Sequence, residues 1–174
     1  MEDKMKRNRL FTFALFAVAF TLVPLAAHAK TSIFSAHLSG AQMNPARLTN
    51  AVGEAKFNVT PDGSQLGFRV NVSNIENVVA TEIRLGPAGA DGEVVATLYG
   101  PVAPGGGKKT GTLAQGTITA SSLSGSLAGQ PLSALINAMQ SGNAFVLVRT
   151  DSGTNPLDLK PGNFPNGEIR GQIK

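Results

Sequence analysis

Glu82 and Arg84 stand two residues apart, and so do Glu168 and Arg170. In an extended chain, side chains two apart point to one face, so each pair sets a carboxylate beside a guanidinium. Arg149 falls near the end of another β-rich run, residues 144–150. Brought together, Glu82, Arg84, Arg149, Glu168 and Arg170 could hold an anionic or polar ligand through two-pronged guanidinium hydrogen bonds. The commoner meaning of such residues is a solvated or structural ion-pair network, and exposed pairs contribute only ~0–1 kcal/mol each.

Other residue types narrow the chemistry. The 174-residue chain has no Cys, which removes disulfides, thiol nucleophiles and Cys-bound metals. His37 is the only histidine beyond residue 28, so no histidine pair can form around a metal. There is no Gly-x-Ser-x-Gly elbow. The glycine-rich stretch 86–92 lacks the Gly-Lys-Ser/Thr ending of a phosphate loop, and no helix is predicted after it. Asp151, Asn155, Asp158 and Asn163 carry oxygens, but their spacing matches no EF-hand loop. No complete catalytic set is visible, and the expectation is a non-enzymatic protein without a cofactor.

The elements that must position the charged residues are short strands. Val79, Thr81, Ile83 and Leu85 alternate with Ala80, Glu82 and Arg84, and residues 94–99 resume a β-rich run after the turn at 86–92. Earlier, residues 32–38 and 52–59 alternate in the same way. Thr60-Pro61-Asp62-Gly63 then turns the chain into Leu66, Phe68, Val70 and Val72, which predicts a hairpin. Residues 73–77 read as a polar connection and 101–109 as a loop rich in Pro and Gly. A weaker Thr/Gly-rich strand follows at 110–119. Leu132, Leu135, Ile136 and Met139 have helical spacing and predict one short helix ending near Gly142, packed as a lid. Residues 144–150 are apolar on both faces until Arg149, 151–166 read as a loop, and 167–173 as a last strand. The pattern predicts an all-β fold, an antiparallel β-sandwich with one short helix. An up-and-down barrel is the second choice.

The N-terminus is of a different kind. Residues 1–9 are basic, residues 10–25 are apolar apart from Thr12 and Thr21, and Ala27-His28-Ala29 supplies small residues at a cleavage site. This is the pattern of a secretory signal peptide, and it predicts removal of residues 1–29, leaving one domain over 30–174. The formal charge of +4 owes much to this segment. From Lys30 onward 11 Lys+Arg face 9 Asp+Glu, a balance that argues against nucleic-acid binding. The expected compartment is periplasmic or extracellular, with membrane contact only through the signal segment before cleavage.

Several pieces in order resemble a family. They are Phe34-Ser35-Ala36-His37-Leu38-Ser39-Gly40-Ala41-Gln42 with Pro45, then Gly53-Glu54-Ala55, then residues 85–92 followed by Val94-Val95, then 125–142, and finally Gly167-Glu168-Ile169-Arg170-Gly171-Gln172-Ile173. Together they resemble the CHRD domain, the module named after chordin and found in bacterial exported proteins. The resemblance implies an immunoglobulin-like or superoxide-dismutase-like sandwich and no settled activity. Many members have A-H-I-H-x-G where this chain has Thr81-Glu82-Ile83-Arg84-Leu85-Gly86, and V-H-T where it has Val148-Arg149-Thr150. Where those histidines hold a metal, this chain lacks the imidazoles, and two of its replacements are permanent cations with no usable lone pair.

Two functions follow as expectations. The first is an exported, non-enzymatic binding or structural module that meets a protein or glycan partner through loops 101–109 and 151–166. The second is a metal-dependent or redox protein on a dismutase-like sandwich, for which His37, Glu82 and the remaining carboxylates form a poor ligand set.

Overall fold

The computed structural model describes residues 32–154 and 159–174. The expected signal segment lies outside the described residues, as do Asn155 and Asp158. The strands are β1 (Ile33–Ser39), β2 (Val52–Val59), β3 (Leu66–Glu76), β4 (Val78–Leu85), β5 (Val94–Tyr99), β6 (Lys108–Ile118), β7 (Ala144–Thr150) and β8 (Ile169–Gln172). One α-helix, α1 (Leu132–Gln140), precedes β7.

Alternation accounts for most of these strands. In β1, Phe34, Ala36 and Leu38 are buried while Ile33, Ser35 and His37 are exposed. In β2, Ala55, Phe57 and Val59 face inward and Glu54, Lys56 and Asn58 outward. The β2–β3 hairpin pairs Val59 with Leu66. Asp62 fixes its turn, accepting from Thr60 Oγ1 at 2.6 Å and from Ser64 Oγ at 2.7 Å. Those hydrogen bonds favour the ionised carboxylate and lower its pKa to about 2.

All eight strands join one antiparallel sheet in the order β5-β4-β7-β8-β1-β2-β3-β6. The all-β fold with one short helix is therefore as the alternation predicts. Its layers, however, are opposite walls of one curled sheet and not two separate sheets. The edge strands β5 and β6 approach without pairing. The segment after β6 bridges to β5, where Ser124 N donates to Val95 O at 2.9 Å. Inside lie Phe57, Leu66, Ile83, Val146, Val148 and Ile169, all fully buried. The lid expectation holds for α1, which buries Leu132, Leu135 and Met139 beside β7. It stops where Gly142 takes φ 67° and its N–H returns to Met139 O.

Two stretches differ from the sequence reading: residues 108–109, read as the end of a loop, begin β6, and the other lies at the end of β3. Residues 73–76 are not a connection but the end of β3, and Ile75 there is buried. A bulge between Val72 and Ile75, with Asn74 at φ 55°, breaks the period-2 pattern and hid the strand.

The wall formed by β4, β7 and β8 positions the charged residues. Here the strands are buried on both faces. Phe145 and Leu147 of β7 point away from the central core yet are only 2% and 4% exposed. Loops cover that outer face. A side-chain methyl on Gly167 would sit 2.7 Å from both Leu147 Cδ1 and Met43 Cε, so the loop after β1 and the approach to β8 close over the wall. Phe164 is buried there too, with the Arg47 guanidinium 5.0 Å from its ring centre.

Candidate functional site

Register lines up the outer face in rows. Glu82 lies beside Leu147, Leu147 beside Arg170, and Arg170 beside Ser39. In the next row Arg84 lies beside Phe145, and Phe145 beside Gln172. Arg149 pairs with Ala80. Glu82, Arg84, Arg149 and Arg170 therefore share one face, with Glu168 just ahead of β8, but the five do not form one cluster.

Glu82, Arg84 and Arg149 bond to one another. Arg84 Nε and Nη2 donate to Glu82 Oε2 at 2.9 and 2.8 Å, and Arg149 Nη1 donates to Oε1 at 3.1 Å. Backbone carbonyls hold the same guanidiniums from their far sides: Arg84 Nη1 donates to Gly92 O at 3.2 Å and Arg149 Nε to Pro165 O at 2.8 Å. The carboxylate is the floor, its side chain 9% exposed, while the side chains of Arg84 and Arg149 are 24% and 33% exposed. Both arginines line a cleft of ≈ 440 Å³ with Asp91, Pro165 and Asn166. Arg149 Nη2 has no protein partner among the described residues.

Glu168 and Arg170 have separate settings. Glu168 is 1% exposed and takes its hydrogen bonds from neutral donors: Thr49 Oγ1, Thr150 Oγ1 at 2.7 Å and Gly162 N at 2.9 Å. It thereby ties the loop after β1, the end of β7 and the loop before β8 to one point. Arg170 lies with its guanidinium carbon 3.6 Å from the centre of the Phe145 ring. It donates to Ala90 O at 2.6 Å and to Pro87 O at 2.7 Å. Burial pushes the Arg170 guanidinium below its ordinary value, and the nearby charge of Asp91 opposes that shift. The glycine-rich turn after β4 is therefore a carbonyl cradle for a cation of the same chain, the reverse of a phosphate loop, which offers N–H groups to an anion.

The remaining candidates are dispersed. His37 is exposed on β1, opposite Glu54 of β2. Asp151 Oδ1 accepts from Gly153 N, and Asn163 Oδ1 from Ser152 N, so both shape their own loop. Among the described residues no three His, Asp or Glu side chains gather as a metal-holding group. Sequence reasoning missed the groups that complete these settings: Thr49, Phe145, Thr150, Gln172 and the carbonyls of Pro87, Ala90 and Pro165. Of these, only Phe145 left a sequence signal, because it belongs to a strand apolar on both faces.

The pieces that make this wall come from widely separated parts of the chain, and a family model carries the same span as a unit. The model described as the CHRD domain matches residues 34–173. The chain belongs to the CHRD domain family. No curated protein and no solved structure gives a match. The matched span runs from β1 to just past β8, so the CHRD unit includes the whole covered wall and its charged residues. No helix among the described residues is long and apolar enough to cross a membrane.

Proposed function

We propose that this CHRD protein is an exported, non-enzymatic binding module whose ligand contact is the Arg84–Arg149 rim. The observation that supports it most is the vertical order of charge. A nearly buried Glu82 fixes two guanidiniums above it, and their outer edges face a cleft. Guanidinium stays charged at ordinary pH and transfers no proton, so it suits recognition better than acid–base chemistry. A carboxylate in the cleft would meet Nη2 of Arg149, which has no partner among the described residues, in an orientation already set by Glu82 and Pro165 O, which lowers the ordering cost of binding. The three positions where the family resemblance implies histidines are the three that bond together here. Export rests on the basic, apolar and small-residue pattern of residues 1–29.

Calorimetric titration of the purified protein with tricarballylate, which carries carboxylates and no ammonium group, tests the site. One-to-one binding that weakens with salt, and that Arg149→Ala abolishes while circular dichroism shows the variant still folded, is the expected result. No binding, or equal binding by Arg149→Ala, would remove the rim from the account.

A further inference from the structure

A second cavity, between the loop after β1, the β3–β6 pair and the approach to β8, involves none of the rim residues. It holds ≈ 600 Å³, within the range of small-ligand sites. Its lining includes Glu168 and Thr49, Glu76 and Asn74 of β3, and Lys108 and Lys109 of the neighbouring strand β6. The bulge in β3 lies along this cavity, and Asn74 and Ile75 line it.

Glu168 has its two oxygens in different situations. Oε2 accepts from Thr150 Oγ1 and Gly162 N, neither of which lines the cavity. Among the described residues Oε1 accepts only from Thr49 Oγ1, which does line it. Glu168 lines the cavity as a buried carboxylate whose Oε1 has the fewer protein donors, and it has no ion pair among the described residues. A carboxylate oxygen can accept two hydrogen bonds, and a buried anion gains most from a charged donor. Among the other lining residues the reverse holds: Lys108 and Lys109 form no ion pair among the described residues and are exposed.

We propose that this cavity is a second binding site and takes a small zwitterion, a short peptide with free ends. Its ammonium group donates to Glu168 Oε1 and its carboxylate meets Lys108 and Lys109. The lining is charge-balanced, with Glu76 and Glu168 against the two lysines, so a ligand carrying both charges fits where a simple anion or cation would meet repulsion. The cavity has no aromatic residue in its lining, which disfavours a stacked sugar ring.

The test is calorimetric titration of the purified protein with triglycine, N-acetyl-triglycine and triglycine amide. Triglycine should bind one-to-one, and each blocked form about tenfold or more weaker, because each lacks one charge-assisted contact. The double variant Lys108→Ala with Lys109→Ala, at exposed positions, should no longer discriminate against the amide and should still reject the acetylated peptide. Glu168→Gln should show the converse. If Glu168→Gln fails to fold, the acetylated peptide on the unaltered protein reads the same contact. No binding of triglycine, or equal binding of all three peptides, overturns the proposal. Loss of the rejection of N-acetyl-triglycine belongs to Glu168 alone, and tricarballylate reads the rim, so this site and the guanidinium rim stand or fall separately.

Discussion

The two walls of the curled sheet solve the same burial problem in different ways. On the β2–β3–β6 wall the inner residues are buried and the outer row, Lys56, Arg69 and Gln115, meets solvent. Its charges pair loosely: Lys56 lies 3.4 Å from Glu54, with both side chains about half exposed. On the β4–β7–β8 wall the outer row is Glu82, Leu147 and Arg170, and loops close over it. There each charge is held by several partners. The difference teaches where polar residues can matter. A surface charge is screened by water, whereas a covered one must be matched, and its partners become fixed in position.

The largest effect should come from the apolar part of that covered face. Phe145→Ala removes a buried ring and the support under Arg170, and should cost ~3–5 kcal/mol in urea denaturation. Arg69→Ala on the open wall should stay within about 0.5 kcal/mol. Comparable losses at the two positions would mean that the covering loops do not seal the face.

Two glycines sharpen the point. Gly167 has φ 121° and Gly111 has φ 102°, so alanine is strained at either. Around Gly111 a methyl would meet nothing within 4 Å, whereas at Gly167 it would meet Leu147 and Met43 at 2.7 Å. Gly167→Ala should therefore cost ~2–4 kcal/mol and Gly111→Ala roughly 1–2 kcal/mol, the difference being overpacking beneath the loops. Equal melting-point shifts would refute close packing at Met43.

The ion pairs come next. Glu82→Ala leaves two guanidiniums without their carboxylate and should cost about 2 kcal/mol, less than a fully buried pair because both arginines keep some exposure. Glu54→Ala should change stability by less than ~0.5 kcal/mol. Chemical denaturation of the two variants decides it, and a near-zero effect at Glu82 would place its cluster with ordinary surface pairs.

This contrast also marks what could be read from the residues. The open wall was legible because one face is wet, and period-2 alternation records that directly. The covered wall left a fainter trace: residues 144–150 are apolar on both faces, which signals burial on both sides without naming the cover. Glu82 and Arg84 could be placed on one face from spacing alone. Their bond to Arg149 depends on β4 pairing with β7, across a helix and two further segments of chain. The separate settings of Glu168 and Arg170 could not be read, because their partners are loop hydroxyls and carbonyls with no periodicity. The end of β3 was lost for a local reason, since a bulge shifts the alternation by one residue.

The smallest effect tests whether the open wall's electrostatics stay local. Asp62 at the β2–β3 turn is bonded to Thr60 and Ser64, and its pKa falls from 3.8 to about 2. A carboxyl with a depressed folded pKa contributes stability that is complete above its unfolded pKa and disappears as pH falls through the folded one. The turn should therefore loosen between about pH 4 and pH 2. An NMR titration should place the Asp62 midpoint near 2, with protection of the Ser64 and Gln65 amides, relative to the intrinsic exchange rate at each pH, falling on acidification. Asp62→Asn should flatten that exchange profile and leave the covered wall's amides unchanged. A midpoint at the ordinary carboxylate value would mean that the turn's hydrogen bonds are not formed in solution. A response that spread to β7 would mean that the two walls are coupled through the sheet, and the contrast between them would then be one of degree.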